Sequence, residues 1–168
     1  FRIDTIMVEA IRGKDEAGIY GAAVRVSEVV YFIPVILSTV FLPPLLQLRT
    51  SDPARYERRF ADYFGISLLI AIPGAAALAF AAPHVIAVLF GQDFAASAHI
   101  LTIHAWSFIP YAIGIARTQY LTAEHRLWVN LPSVVLALVV NVALNLLWIP
   151  SHSGEGAAWA TLIAYTVA

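Results

Sequence analysis

The sequence contains no cysteine, a single methionine and few charges. Without cysteine there can be no disulfide framework and no thiolate metal site. Asp, Glu, Lys and Arg together make up 12% of the 168 residues, about half of the roughly 25% usual in soluble domains. The scarcity is uneven, for residues 63–92, 94–116 and 127–154 contain none of the four. What fills these tracts is apolar: hydrophobic residues account for 60% of the chain, and the mean hydropathy is +0.77. A helix needs about 20 mainly apolar residues to cross about 30 Å of hydrocarbon. Three such tracts exclude a disordered chain, a small secreted scaffold and a nucleic-acid-binding module. β-barrel strands are excluded too, because they are only about 9–11 residues long and alternate strictly. No G-x-S-x-G, H-E-x-x-H, GxxxxGK[ST] or GxGxxG pattern is present, so the sequence points to no enzyme and no cofactor.

The expected fold is all-α, a polytopic transmembrane bundle of about six spans. These run approximately over 1–11, 19–47, 61–82, 96–121, 128–149 and 157–168. The chain opens with Phe1-Arg2-Ile3-Asp4 and stops at Thr166-Val167-Ala168, each inside a helical pattern. The first and last spans are therefore expected to be truncated, and the whole to be part of a longer protein. The link 48–60 carries Arg49, Arg55, Arg58 and Arg59, and the link 117–126 carries Arg117 and Arg126. By parity the opposite side holds 12–18, 83–95 and 150–156, with only Arg12 and Lys14. Lys and Arg in short loops favour the cytoplasm, which places 48–60 and 117–126 there. These arginines can set topology alone or also bind anionic headgroups.

Ionisable groups within apolar spans are costly and usually face the bundle interior. Arg25 and Glu28 stand three residues apart, on one helix face. If the span enters near Ile19, Arg25 lies about 9 Å deep and Glu28 about 13 Å deep. Two readings fit: a self-neutralising ion pair, or a polar cavity where Arg25 holds an anionic group and Glu28 is a proton or cation site. Asp4, with Arg2 and Glu9, has the same character in the first span, and Asp4 and Glu28 can share a cavity. His99 and His104 are five apart, about 140° around a helix, which argues against a shared metal ion. Asn141 and Asn145, at i and i+4, suit interhelical hydrogen bonding. Ala71, Ala75 and Ala79 form a small-residue packing face. Pro34, Pro43, Pro44, Pro73, Pro110 and Pro132 fall within spans, where they are expected to kink helices.

Three stretches carry a family resemblance. They are Ile3 to Met7 followed by Ala17 to Glu28 and Phe32-Ile33-Pro34, then Val88 to Phe94, and lastly Gly154-Glu155-Gly156-Ala157-Ala158-Trp159-Ala160-Thr161. In order and spacing they resemble the C-terminal half of polysaccharide-biosynthesis flippases. These are the Wzx-type O-antigen and exopolysaccharide exporters of the MOP superfamily, related to MATE exporters and lipid II flippases. The resemblance covers nearly the whole chain and implies one half of a two-lobed, alternating-access transporter in the bacterial inner membrane. The implied cargo is an undecaprenyl-pyrophosphate-linked oligosaccharide. The implied partners are membrane lipids, the N-terminal half of the same transporter and the polysaccharide polymerase machinery. By position, Arg25 and Arg2 would receive the anionic cargo, while Glu28 and Asp4 would couple transport to an ion gradient. A MATE-like multidrug exporter, a lipid II exporter and a non-transporting structural protein are the alternatives.

Overall fold

The computed structural model describes residues 3–168. Among them every regular element is helical. The helices are α1 (Ile3–Arg12), α2 (Lys14–Ser51), α3 (Pro53–Phe90), α4 (Ala95–Ala105), α5 (Phe108–Ala123) and α6 (Leu131–Val167), with short 3₁₀ turns at Gln92–Phe94 and Leu127–Asn130. Helices α2 and α3 each have 38 residues, about 57 Å at 1.5 Å per residue. They overrun a hydrocarbon core of about 30 Å at one or both ends.

The chain reverses direction through very short turns. Gly13 (φ 96°) separates α1 from α2, and Gly91 (φ 85°) ends α3. Both are in left-handed space that glycine occupies without steric cost. Asp52 separates α2 from α3 and accepts a hydrogen bond from the Arg55 amide (3.0 Å), capping α3, with Pro53 in its first turn. This arrangement suits an N-cap and a proline that has no N–H to satisfy. Beyond the turn, Phe41 meets Tyr63 at 5.1 Å between ring centroids, which makes α2 and α3 antiparallel neighbours.

The run α6 holds a reversal that its helical continuity hides. Ser153 has φ 49° and ψ −130°. Asn145 before it and Thr161 after it both bond to one carboxylate, that of Asp4. In one straight helix these residues would lie about 24 Å apart along the axis. So 131–152 and 154–167 are two arms folded against each other. A Cβ placed on Gly156 would come within 2.8 Å of the Trp148 backbone, which shows how closely the arms approach.

By length and composition α2, α3 and the run Leu127–Val167, which is folded back at Ser153, are long and apolar enough to cross a membrane. The stretch Gln92–Ala105 meets α5 at a 42° bend, and the pair together is apolar and long enough for a broken span or a re-entrant loop. Pro34, Pro43, Pro44 and Pro73 lie in continuous helix. Pro110 and Pro132, expected inside spans, fall instead in the first turns of α5 and α6. A missing amide proton costs nothing at that position.

Along the middle of α2 and α3 the buried faces are lined by small or tyrosyl residues: Ala23, Ser27 and Tyr31 on α2, and Tyr63, Ser67, Ala71 and Ala75 on α3. Ala79 is half-buried beside them. Large aliphatics and aromatics such as Val29, Phe32, Leu69 and Phe80 point outward. This inverts the pattern of a soluble protein. It is what close helix approach in lipid requires, where burying a leucine gains little.

Candidate functional site

The six basic residues of the links 48–60 and 117–126 share one end of the bundle. There Arg49 Nε lies 3.3 Å from Glu124 Oε1, and the Tyr56 hydroxyl donates to the same oxygen at 3.1 Å. These contacts tie α2, α3 and α5 together. Arg117 donates to the Ser133 hydroxyl at 2.6 Å. At the opposite end, Ser153 donates to Glu16 (2.5 Å), His99 meets Glu155 (2.7 Å) and Ser97 donates to the Ile19 carbonyl (2.7 Å).

Between the two ends lie two adjoining cavities with Val24 and Glu28 as a common wall. The first, of about 360 Å³, is bounded by Asp4, Tyr20, Glu28, Tyr31, Tyr111 and Tyr165 among others. The second, of about 430 Å³, is lined by Gly18, Gly21, Arg25 and Glu28 of α2, by Thr5 of α1 and by Phe94. Residues 18, 21, 25 and 28 recur at helical spacing. Gly18 and Gly21 leave the space beside Arg25 open, since a Cβ at either would meet nothing within 4 Å.

Asp4 is the polar centre of the first cavity and is only 2% exposed. It accepts from Asn145 Nδ2 at 2.6 Å and from Thr161 Oγ1 at 2.9 Å. Asn145 also donates to Asn141 Oδ1 at 3.1 Å, whereas its own Oδ1 is buried without a hydrogen-bond partner. Burying a carboxylate is costly unless donors replace water. Here two donors do so, one from each arm of the α6 hairpin, so Asp4 holds the hairpin against α1. No Lys or Arg lines this cavity among the described residues.

Of the residues expected to form the site, Asp4 and Glu28 do share a cavity, and Arg25 opens into the neighbouring one. Arg25 and Glu28 are both exposed on α2. Among the described residues no ion pair within 4.0 Å joins them. Counted from Gly13, Arg25 lies about 18 Å and Glu28 about 22 Å along α2. Both fall within about 12 Å of the helix midpoint by the same rise per residue. Arg2 lies outside the described residues.

His99 and His104 diverge. His99 pairs with Glu155, while buried His104 presents Nδ1 to the Tyr31 hydroxyl at 3.2 Å. The Tyr31 hydroxyl also lies 3.3 Å from the His104 carbonyl, just before the α4–α5 bend. Tyr31 stacks on Tyr111 at 4.6 Å between centroids. This aromatic lining was not singled out in the sequence. Its one signal there is that Tyr20 and Tyr31, eleven residues apart, return to the same face of α2.

Fold and site together define a multi-pass, all-α membrane protein with one buried carboxylate, Asp4, and a second carboxylate and an arginine lining cavities along α2. The family model described as lipid II flippase MurJ matches residues 17–168, and the chain belongs to that family. It is also similar to the probable low-salt glycan biosynthesis flippase Agl15 of Haloferax volcanii, at 23% identity over 167 residues. That match covers 98% of this chain and 35% of the relative, so the chain spans about a third of the relative's length. No solved structure matches the chain. Both matches are to MOP-type flippases, as the resemblance implied, and neither is to an O-antigen exporter.

Proposed function

We propose that this chain is the C-terminal-half transmembrane part of a flippase that moves an undecaprenyl-pyrophosphate-linked oligosaccharide across the inner, cytoplasmic membrane for surface-polysaccharide synthesis. Links 48–60 and 117–126 face the cytoplasm in this reading. The observation that carries it is Arg25, a guanidinium without an ion-pair partner among the described residues, which opens into a 430 Å³ cavity about 18 Å along a long apolar helix. A charge so placed is expensive unless an anionic group uses it, and a guanidinium matches phosphate oxygens geometrically. Arg2 is proposed to assist it. Asp4 and Glu28 are the proposed ion-coupling residues, supported by their common cavity. The N-terminal half of the transporter completes the pathway, membrane lipids surround it, and the polysaccharide polymerase machinery takes the exported glycan.

Lipid II as cargo is the second reading, and the family matched over 17–168 favours it. Arg25→Ala in the intact protein tests the site for either cargo. Glycan export should stop while membrane insertion and protein level stay normal. Undiminished export in that variant would remove Arg25 from the cargo path. A lipid II cargo would appear as loss of cell-wall precursor export with surface polysaccharide retained.

A further inference from the structure

Arg59 is exposed on α3 and lines an apolar groove of about 220 Å³. The other walls are Val40, Phe41, Pro44 and Leu45 of α2. Helices α2 and α3 turn back at Asp52, so distance from that residue places each wall. Arg59 and Leu45 are both seven residues from it, about 10 Å along their helices. Phe41 and Val40 lie about 6–8 Å further from the turn by the same rise. The groove thus carries its charge at the end nearer the turn, and its apolar walls run on beyond it. Residues 29–48 of α2 contain no Asp, Glu, Lys or Arg, so Arg59 sits level with an uncharged stretch. Val40 is 64% exposed, which leaves the far end of the groove open.

The arginines at this end of the bundle are not equivalent. Arg49 is held by Glu124, and Arg117 donates to Ser133. Arg59 has no ion-pair partner within 4.0 Å among the described residues, although Asp62 is only three residues on. A cation beside apolar surface is costly unless it reaches water or an anion. The arginine stem can lie along the groove while its planar guanidinium meets phosphate oxygens in a matching fork. Arg55, one turn nearer Asp52 on the same helical row, adds positive charge and also has no ion-pair partner among the described residues. A helix, about 10 Å across, has no room in a groove of this volume, whereas a single acyl chain is narrow enough to follow it. We infer that the α2–α3 groove is a binding site for an anionic phospholipid, with its phosphate on Arg59 and one acyl chain along Pro44, Phe41 and Val40. The groove shares no residue with the cavity at Arg25. The inference therefore does not depend on the cargo proposed above.

Photolabelling of the intact protein in nanodiscs tests it, with phosphatidylglycerol or phosphatidylcholine carrying a photoactivatable group in one acyl chain. Phosphatidylglycerol should label the segment 40–45 about fivefold more than phosphatidylcholine, the preference expected of one arginine near an anionic lipid. Arg59→Gln, at an exposed position, should remove that preference and leave thermal stability unchanged. Arg126→Gln, an exposed arginine of the other link, should leave the preference in place, which separates the groove from a general attraction to basic protein. Val40→Trp fills the groove without touching the charge and should lower the label from both lipids. The inference is overturned by equal labelling from the two lipids, by a preference that survives Arg59→Gln, by one that Arg126→Gln lowers as much, or by a label that Val40→Trp leaves intact. Loss of the label to undecaprenyl pyrophosphate, added at a small fraction of the phospholipid, would give the groove to the tail of the proposed cargo and overturn it too.

Discussion

Glycine-to-alanine substitution should have opposite effects at different points of this bundle, and the contrast tests the α6 hairpin directly. At Gly156 an added Cβ would lie 2.8 Å from the carbonyl carbon and oxygen of Trp148 and 2.9 Å from its Cβ. Comfortable separation for such atoms is about 3.5–4.0 Å, so the arms would have to part by about 1 Å. Two of the three atoms are backbone and cannot rotate away. Overpacking of this kind costs about 1–3 kcal/mol, and rigid neighbours put Gly156→Ala near the top of that range. The gain in helix propensity on replacing glycine, about 1 kcal/mol, offsets part of it. The net expectation is a loss of about 2 kcal/mol. At Gly21 a Cβ meets nothing within 4 Å, so Gly21→Ala keeps only the propensity gain and should be neutral or stabilising. Gly154→Ala should fall between them, because the 2.7 Å contact is with the mobile end of Ile100, although Tyr20 lies 3.3 Å away. The assay is thermal unfolding of each purified variant in one detergent, followed by size-exclusion of the folded fraction. A Gly156→Ala midpoint at or above that of Gly21→Ala would refute the close-packed hairpin.

Other expectations follow from the same geometry. Ser153→Ala keeps the positive φ and loses the hydrogen bond to Glu16, which should cost about 1.5–3 kcal/mol. Ser153→Gly loses the same bond but relieves a backbone conformation worth about 1–3 kcal/mol, so it should melt closer to wild type. Thr161→Val leaves the buried Asp4 with one donor fewer, a loss of about 1.5–3 kcal/mol in the same unfolding assay. Glu124→Gln removes the half-exposed pair with Arg49 but keeps an acceptor for Tyr56. It should cost no more than about 1 kcal/mol, and less than Glu124→Ala.

Much of this was legible in the sequence. Three tracts without charge sufficed for an all-α membrane bundle, because no other fold hides its backbone in lipid so simply. The i, i+3 spacing of Arg25 and Glu28 put both on one face of α2, and the structure lines the second cavity with both. Helix ends were less legible. The arginines of 48–60 suggested a link, but the helices run on through them, to Ser51 on α2 and from Pro53 on α3. A single capped residue, Asp52, is the whole turn. The stretch 150–156 reads as a polar link, whereas the reversal is confined to Ser153, with helix on both sides. The partners of Asp4 were invisible for a different reason. Asn145 and Thr161 are 141 and 157 residues away in sequence, and periodicity reports faces, not which faces meet. For the same reason the tyrosines around the first cavity, spread over α2, α5 and the last arm of α6, carried no joint signal.

The central claim is that the intact protein carries a lipid-linked glycan across the membrane. The most direct test depletes the protein in its native cell and measures lipid-linked oligosaccharide on each leaflet with an impermeant, glycan-specific label. The account predicts that the intermediate accumulates on the cytoplasmic leaflet, and that wild-type protein, but not Arg25→Ala, restores its passage to the outer leaflet. An unchanged pool and unchanged distribution in depleted cells would contradict it.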